Sequence, residues 1–133
     1  MVKNAQTARE RAYAPYSMYR VGAALLTDEN EVIAGCNVEN ASYGLCNCAE
    51  RTAVFSALSQ NKKKFKAIAV VTKDGGSPCG ACRQVLNEFN PTILVIMAKE
   101  NGEIVAKKTL DELLPLAFGP KNIEDTVECK AKN

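Results

Sequence analysis

Histidine and tryptophan are both absent from these 133 residues. Without imidazole there is no histidine metal ligand and no Ser/His or Cys/His pair. Any proton transfer must therefore fall to a carboxylate, Lys, Tyr or Cys. Aromatic residues make up only 6% of the chain, too few to lay out the aromatic–basic surface that single-stranded nucleic acid would need. An excess of one charge is lacking too. Seventeen Lys and Arg stand against fifteen Asp and Glu, a net +2, too slight to argue for nucleic acid or an anionic membrane as partner. No apolar run reaches the roughly 20 residues of a membrane span, and the N-terminus does not have the make-up of a signal peptide. The expectation is a cytoplasmic protein whose thiols stay reduced.

What is present is an ordinary globular composition, 47% hydrophobic and 24% charged, expected to fold as a single domain over 1–133 with one core. The basic run Lys62-Lys63-Lys64-Phe65-Lys66 falls between a helix and a strand and is expected to be a solvated loop. Six cysteines could form three disulfides. A cytosolic chain with this much core does not need them, and Cys-x-x-Cys there points to metal or redox chemistry instead.

In order, residues Asn4 to Ala14 predict a first helix stopped by Pro15. Val21 to Thr27 and Glu31 to Val38 predict an antiparallel pair turned by Asp28-Glu29-Asn30. After a polar loop from Asn37 to Tyr43, a helix is expected over about Cys48 to Gln60. The strand Lys66 to Thr72 is apolar throughout its middle, so it should be central in a sheet. A turn, Asp74-Gly75-Gly76-Ser77-Pro78, leads to a helix over about Gly80 to Phe89. Thr92 to Ala98 and Glu103 to Lys108 predict two more strands joined at Asn101-Gly102. Thr109 and Glu112 have capping-box spacing and open a helix toward Leu114 that Phe118 and Gly119 should close, and the tail from Lys121 is polar. This alternation predicts an α/β fold, a three-layer α/β/α sandwich around a mixed five-stranded sheet. Strands three and four should be parallel, and the last two antiparallel because their connection is too short for a crossover.

The chemistry concentrates in Cys46-Asn-Cys-Ala-Glu50 and Pro78-Cys-Gly-Ala-Cys82. Each stretch sits where a loop becomes a helix. Cys79 and Cys82, two residues apart at a helix start, can aim both sulfurs at one ion, and Cys48 supplies a third. Three thiolates leave the fourth tetrahedral position of a zinc open, as a catalytic site requires. Glu50 falls on the apolar stripe of Ala53, Val54, Ala57 and Leu58. A carboxylate on a buried face needs a partner or a chemical role. Burial would raise its pKa and a neighbouring zinc would lower it, the balance a proton shuttle wants. A plainer use is to complement the helix dipole. A zinc with three thiolates is formally anionic and a poor Lewis acid, so something must offset that charge. Two helix N-termini and Arg51, three residues after Cys48, could do so, unless Arg51 is simply an exposed helix arginine.

Two other uses of these cysteines remain open. Cys46 with Cys48, Cys79 and Cys82 could close a structural four-cysteine zinc site. Cys79-Gly-Ala-Cys82 could instead be a dithiol oxidoreductase, though this gives Cys48, Glu50 and Arg51 nothing to do. Cys36 and Cys129 fit as bystanders, a small core residue and a tail thiol.

Five blocks carry a family resemblance: Ala14-Pro-Tyr-Ser-Met-Tyr-Arg-Val-Gly-Ala-Ala24, Gly35-Cys-Asn-Val-Glu-Asn-Ala41, Cys46-Asn-Cys-Ala-Glu-Arg-Thr-Ala53, Ser77-Pro-Cys-Gly-Ala-Cys-Arg-Gln84 and Glu112-Leu-Leu-Pro-Leu-Ala-Phe118. Together they resemble the zinc-dependent cytidine deaminases, in their short, homotetrameric, three-cysteine branch. The resemblance implies hydrolysis of cytidine and 2′-deoxycytidine to uridine and 2′-deoxyuridine plus ammonia, in pyrimidine salvage. A zinc-activated water would attack C4 while Glu50 moves its proton to N3 and then assists loss of ammonia. It also implies one zinc per subunit and substrate-binding roles for Asn37 and Glu39 (ribose), Tyr19 (base stacking), Ala41 and Tyr43 (a loop crossing between subunits) and Phe118 (closing a neighbouring subunit's pocket). Relatives commonly carry Phe where this chain has Tyr19, whose hydroxyl needs a partner. From the residues alone, Asn37 and Glu39 could bond their own loop, and Tyr19 and Phe118 could be core. Free-nucleoside enzymes of the wider superfamily resemble this chain in an antiparallel last strand pair, so a free nucleoside rather than a polynucleotide is the expected substrate.

Overall fold

In this computed structural model, residues 1–124 are described; Cys129 lies outside them. Five strands, β1 (Gly22–Thr27), β2 (Val32–Cys36), β3 (Phe65–Thr72), β4 (Leu94–Lys99) and β5 (Ile104–Thr109), form one sheet in the order β2-β1-β3-β4-β5. All pairings are antiparallel except β3 with β4. The sheet is mixed as expected, and β3 is its centre, with every residue but Lys66 buried. The β3–β4 connection carries a helix, which a parallel pair requires. The last two strands turn tightly at Gly102, whose φ of +93° belongs to glycine.

The helices are α1 (Val2–Arg9), α2 (Ala49–Ser59), α3 (Gly80–Phe89), α4 (Leu110–Leu113) and α5 (Pro120–Glu124). Strand residues alternate between two cores, as the period of two dictates. Ala23, Leu25, Ile68, Val70 and Val95 face one side, against Ala53 and Val54 of α2 and Leu86 of α3. Ala24, Ala69, Val71 and Ala98 face the other, against Ala5 of α1. Two glycines let the helices sit close. A Cβ at Gly22 would lie 2.0 Å from the Ala5 carbonyl oxygen of α1, and one at Gly35 would lie 2.5 Å from the Ala53 nitrogen and 2.7 Å from the Ala49 oxygen of α2.

Most elements fall within two residues of their expected bounds, and α3 matches at both ends. The first helix departs most: it spans Val2–Arg9 rather than Asn4 to Ala14. The cause is tertiary. The Tyr13 N–H bonds the Asn37 carbonyl at 3.0 Å and the Glu39 N–H bonds the Tyr13 carbonyl at 2.8 Å, drawing residues 10–14 off the helix path toward β2's exit. Pairing that satisfies backbone groups in a packed setting outweighs a weak local propensity. The capping box at α4 forms, with Glu112 Oε1 accepting from the Thr109 N–H at 2.9 Å and its hydroxyl at 3.0 Å. Pro115 ends that helix after four residues, short of the expected close at Phe118 and Gly119. The short α5 falls in the stretch expected to be a polar tail and carries no amphipathic signal; the Asn122 side chain accepts the Gly119 N–H at its start.

Candidate zinc centre and substrate cleft

Cys48 and Cys79 are the N-cap residues of α2 and α3. Each holds extended backbone just before its helix, at the end where the first-turn N–H groups lack intrahelical partners, and its sulfur makes no capping bond to them. Cys82 lies one turn into α3 and is fully buried. The three sulfurs all lie within 4.8 Å of one another, with Cys48 Sγ 3.7 Å from Cys79 Sγ and Cys79 Sγ 3.6 Å from Cys82 Sγ. Two ligands about 2.3 Å from a tetrahedral zinc stand about 3.8 Å apart, so this donor set fits the ion. Among the described residues no other His/Cys/Asp/Glu cluster has such spacing.

The electrostatics favour a thiolate at Cys48. A hydrogen bond from Cys82, then the Arg51 guanidinium and Cys79, bring it down to about 5 against the resistance of burial. Cys82 is pushed the other way, first by that same hydrogen bond and then by burial. Arg51 Nη2 donates to Cys48 Sγ at 3.3 Å. Its buried Nε has no partner among the described residues. That nitrogen has therefore given up hydration while the side chain stays beside the sulfur, a cost that makes sense against concentrated negative charge.

Glu50 is 4% exposed and lines the same cleft as Cys48 and Cys79. Ala53, Val54 and Ala57 below it are fully buried, so the stripe predicted from sequence is real. Burial first, and then the Cys48 charge, raise its pKa to about 7, with its own backbone N–H and Arg51 opposing. It makes no side-chain hydrogen bond to another described residue, unlike a purely structural buried carboxylate.

Cys46 stands outside the sulfur cluster. Its Sγ accepts the Asn40 N–H at 3.3 Å and lies 3.6 Å from the Asn40 carbonyl, tying the loop to itself. The four-cysteine alternative therefore lacks its fourth ligand, and the dithiol alternative has three converging sulfurs rather than two. The five described cysteines are all free.

The cleft in front of the sulfurs has a volume of about 370 Å³, and Tyr19, Asn37 and Glu39 line it with Glu50. Asn37 Oδ1 accepts the Val21 N–H at 2.9 Å and its Nδ2 donates to the Tyr19 carbonyl at 2.8 Å. Glu39 Oε1 accepts the N–H groups of Tyr16 and Ser17 at 3.0 and 3.1 Å, and Oε2 accepts the Ser17 hydroxyl. Both side chains thus do bond their surrounding loops. Each keeps spare capacity, one amide hydrogen on Asn37 and further lone pairs on Glu39. The Tyr19 hydroxyl finds its partner in Asp74, a residue not singled out from sequence.

Ala41, Tyr43 and Phe118 are not brought to this cleft. All three are exposed or half-exposed, and none lines it. Tyr43 stacks edge-on with Tyr16 beside Glu39 and Cys46. Phe118 lies beyond α4, its carbonyl held by Gln84 Nε2 and Asn87 Nδ2.

Residues 1–98 match a family model described as the cytidine and deoxycytidylate deaminase zinc-binding region. The chain is 51% identical over 128 residues to a cytidine deaminase of Halalkalibacterium halodurans, a match covering 94% of this chain and 96% of that one. It is 45% identical over 131 residues to another from Sporosarcina psychrophila, covering 96% of each. The crystal structure of cytidine deaminase from Burkholderia pseudomallei superposes with a TM-score of 0.83 at 53% identity, over 88% of this chain and 95% of that one.

Proposed function

This chain belongs to the cytidine and deoxycytidylate deaminase family, and we propose that it converts cytidine and 2′-deoxycytidine with water to uridine and 2′-deoxyuridine plus ammonia, as a step of pyrimidine salvage. The observation that carries this reading is the convergence of three sulfurs beside a buried carboxylate that no side chain satisfies, at the floor of an open cleft.

Cys48, Cys79 and Cys82 would hold one zinc per chain. When bound, the zinc supplies a Lewis acid that makes a water ionisable near neutral pH. The protein's own groups do the rest. Arg51 and the α2 and α3 N-termini offset the negative charge of three thiolates. Glu50 takes a proton from the attacking water, delivers it to N3 of the pyrimidine and returns a proton to the leaving amine. A pKa near 7 before metal loading suits a group that must both accept and release a proton. The spare hydrogen on Asn37 and the spare lone pairs on Glu39 suit sugar hydroxyls, and Tyr19 offers a ring face to the base.

We place the activity in a single nucleoside deaminase domain spanning 1–133, in a reducing cytoplasmic setting that keeps free thiolate ligands available. Among the described residues no helix is long and apolar enough to cross a membrane. The substrate is a free nucleoside: the antiparallel β4–β5 edge and the near-neutral charge support this over a polynucleotide. A homotetramer would bring Ala41, Tyr43 and Phe118 of one copy to the cleft of another, and the exposure of Tyr43 (73%), Leu45 (70%) and Phe118 (60%) supports such burial.

Absorbance loss on cytidine, read with zinc content, tests the proposal. The wild type turns over, whereas Glu50→Gln keeps one zinc per chain and loses activity by about 10³-fold or more. Equal rates in the two proteins would remove Glu50 from the chemistry.

A further inference from the structure

Tyr19 is held at both ends. Its backbone N–H donates to Ser17 Oγ at 3.0 Å, and its carbonyl accepts from Asn37. At the far end its hydroxyl donates to Asp74 Oδ1 at 2.8 Å, across 55 positions of chain. Asp74 Oδ1 also lies 3.2 Å from Thr72 Oγ1, which donates to it and accepts the N–H groups of Gly75 and Gly76, both at 2.8 Å. The buried Thr72 hydroxyl thereby uses its one donor and both acceptor positions. The turn so fixed runs straight into Ser77, Pro78 and Cys79. Its other flank is held by Arg83, whose Nε donates to the Pro78 carbonyl and Nη2 to Ser77 Oγ, both at 2.8 Å. Gly75, at φ +81°, brings the turn close to β5: a Cβ there would lie 2.5 Å from Val105 Cγ2.

A phenol tip that is partly exposed could be satisfied by water, so this bond is not forced by burial. What it does is fix the direction of the ring's long axis, since the oxygen lies on the line from Cβ through the ring. Resting on the assignment of the cleft to a nucleoside, we propose that Tyr19 and Asp74 form one positioning unit. The tyrosine hydroxyl fastens the aromatic wall of the cleft to the turn that presents Cys79, so that the position of the ring and that metal ligand are set together. Asp74 is a positioning residue here, acting through Tyr19 on the substrate and through the turn on the metal. A phenylalanine at position 19 could supply the ring face but not the tether.

The test uses zinc-loaded protein: wild type, Tyr19→Phe, Asp74→Ala, Asp74→Asn and the double variant Tyr19→Phe/Asp74→Ala. Two quantities are read, kcat and KM for cytidine, and the rate of zinc transfer to a chelator. Tyr19→Phe and Asp74→Ala should each raise KM about fivefold, the scale of one lost hydrogen bond to a charged acceptor at a partly exposed site, with kcat falling less. Both should release zinc several-fold faster. The double variant should be no worse than the worse single, because one interaction cannot be lost twice. Asp74→Asn should recover most of the loss, since its amide oxygen accepts the same two hydrogens. Multiplying effects, an asparagine no better than alanine, or wild-type KM in Tyr19→Phe would each overturn the unit. So would a raised KM with a wild-type zinc-release rate, which would reduce Tyr19 to a simple substrate contact. If Asp74→Ala does not fold, Tyr19→Phe, which removes only one oxygen, decides alone. A wild type inert toward cytidine would sink the assigned reaction instead, and the zinc-release rates would then decide the tether by themselves.

Discussion

The floor of the cleft and its outer rim are built differently. The floor comes from the first turns of α2 and α3: three sulfurs with successive gaps of 3.7 and 3.6 Å, Arg51 on one of them, and Glu50 buried beside them. Every part is already in place in one chain. The rim residues Ala41, Tyr43 and Phe118 stand toward solvent and meet nothing of the floor. The contrast teaches that the sulfur cluster is assembled within the single fold, whereas Ala41, Tyr43 and Phe118 take no part in the cleft of their own chain, which is why we propose that a second copy closes over substrate. Tyr19, Asn37 and Glu39 lie between, tied to neighbouring loops yet facing the cleft.

Four measurements would break or sharpen that contrast. The largest effect belongs to the floor: Cys82→Ala should abolish zinc binding and with it essentially all activity, because two remaining thiolates cannot complete a catalytic site. Retained stoichiometric zinc, read by metal analysis, would contradict the floor as described. Next is the folding of metal-stripped protein. The folded pKa of Glu50 is raised to about 7 from 4.5, so the native state binds its proton more tightly than the unfolded chain. The native state is therefore favoured by this group below pH 4.5 and loses that advantage as pH rises through 7. Removing the charge with Glu50→Gln should stabilise metal-free protein at pH 8 by about 3 kcal/mol, a gap that closes toward pH 4.5 in denaturant melts. No gap at pH 8 would mean the carboxylate is solvated. Third, Phe118→Ala should lower kcat/KM about tenfold with zinc content unchanged, in line with losing one aromatic anchor. An unchanged value in an unchanged assembly would take Phe118 off the rim. Smallest is Cys46→Ala, which should keep its zinc and cost less than about 1 kcal/mol in a thermal melt, because only its contacts with Asn40 are lost. Zinc loss there would restore the four-cysteine alternative.

Each half of the floor was legible in the sequence because its spacing is local, whereas the meeting of Cys48 with Cys79 spans 31 positions. A Cys-x-x-Cys at a helix start and a glutamate on an apolar stripe report their geometry through the 3.6-residue period, without help from distant chain. The sheet's mixed pairing was legible for a related reason, since connection length decides parallel against antiparallel. The end of α1 was not, because the Tyr13 backbone is claimed by Asn37 and Glu39, 24 and 26 positions on. Asp74 was hidden likewise: in sequence it is an ordinary turn residue, and its partner hydroxyl is 55 positions away. The one available signal was the tyrosine where a phenylalanine is common, which says that an oxygen must be accommodated but not by whom.

Gly35 gives the hairpin a role that strands contributing no sulfur to the cluster would not suggest. With only hydrogen where a methyl would meet the Ala49 oxygen at 2.7 Å, β2 acts as a gauge block under the first turn of α2. The thickness of that block sets how far Cys48 and Glu50 reach toward α3. Metal coordination tolerates errors of only about 0.2 Å, so a single added carbon on a strand that touches neither ion nor nucleoside would leave a well-packed molecule with its tools out of alignment.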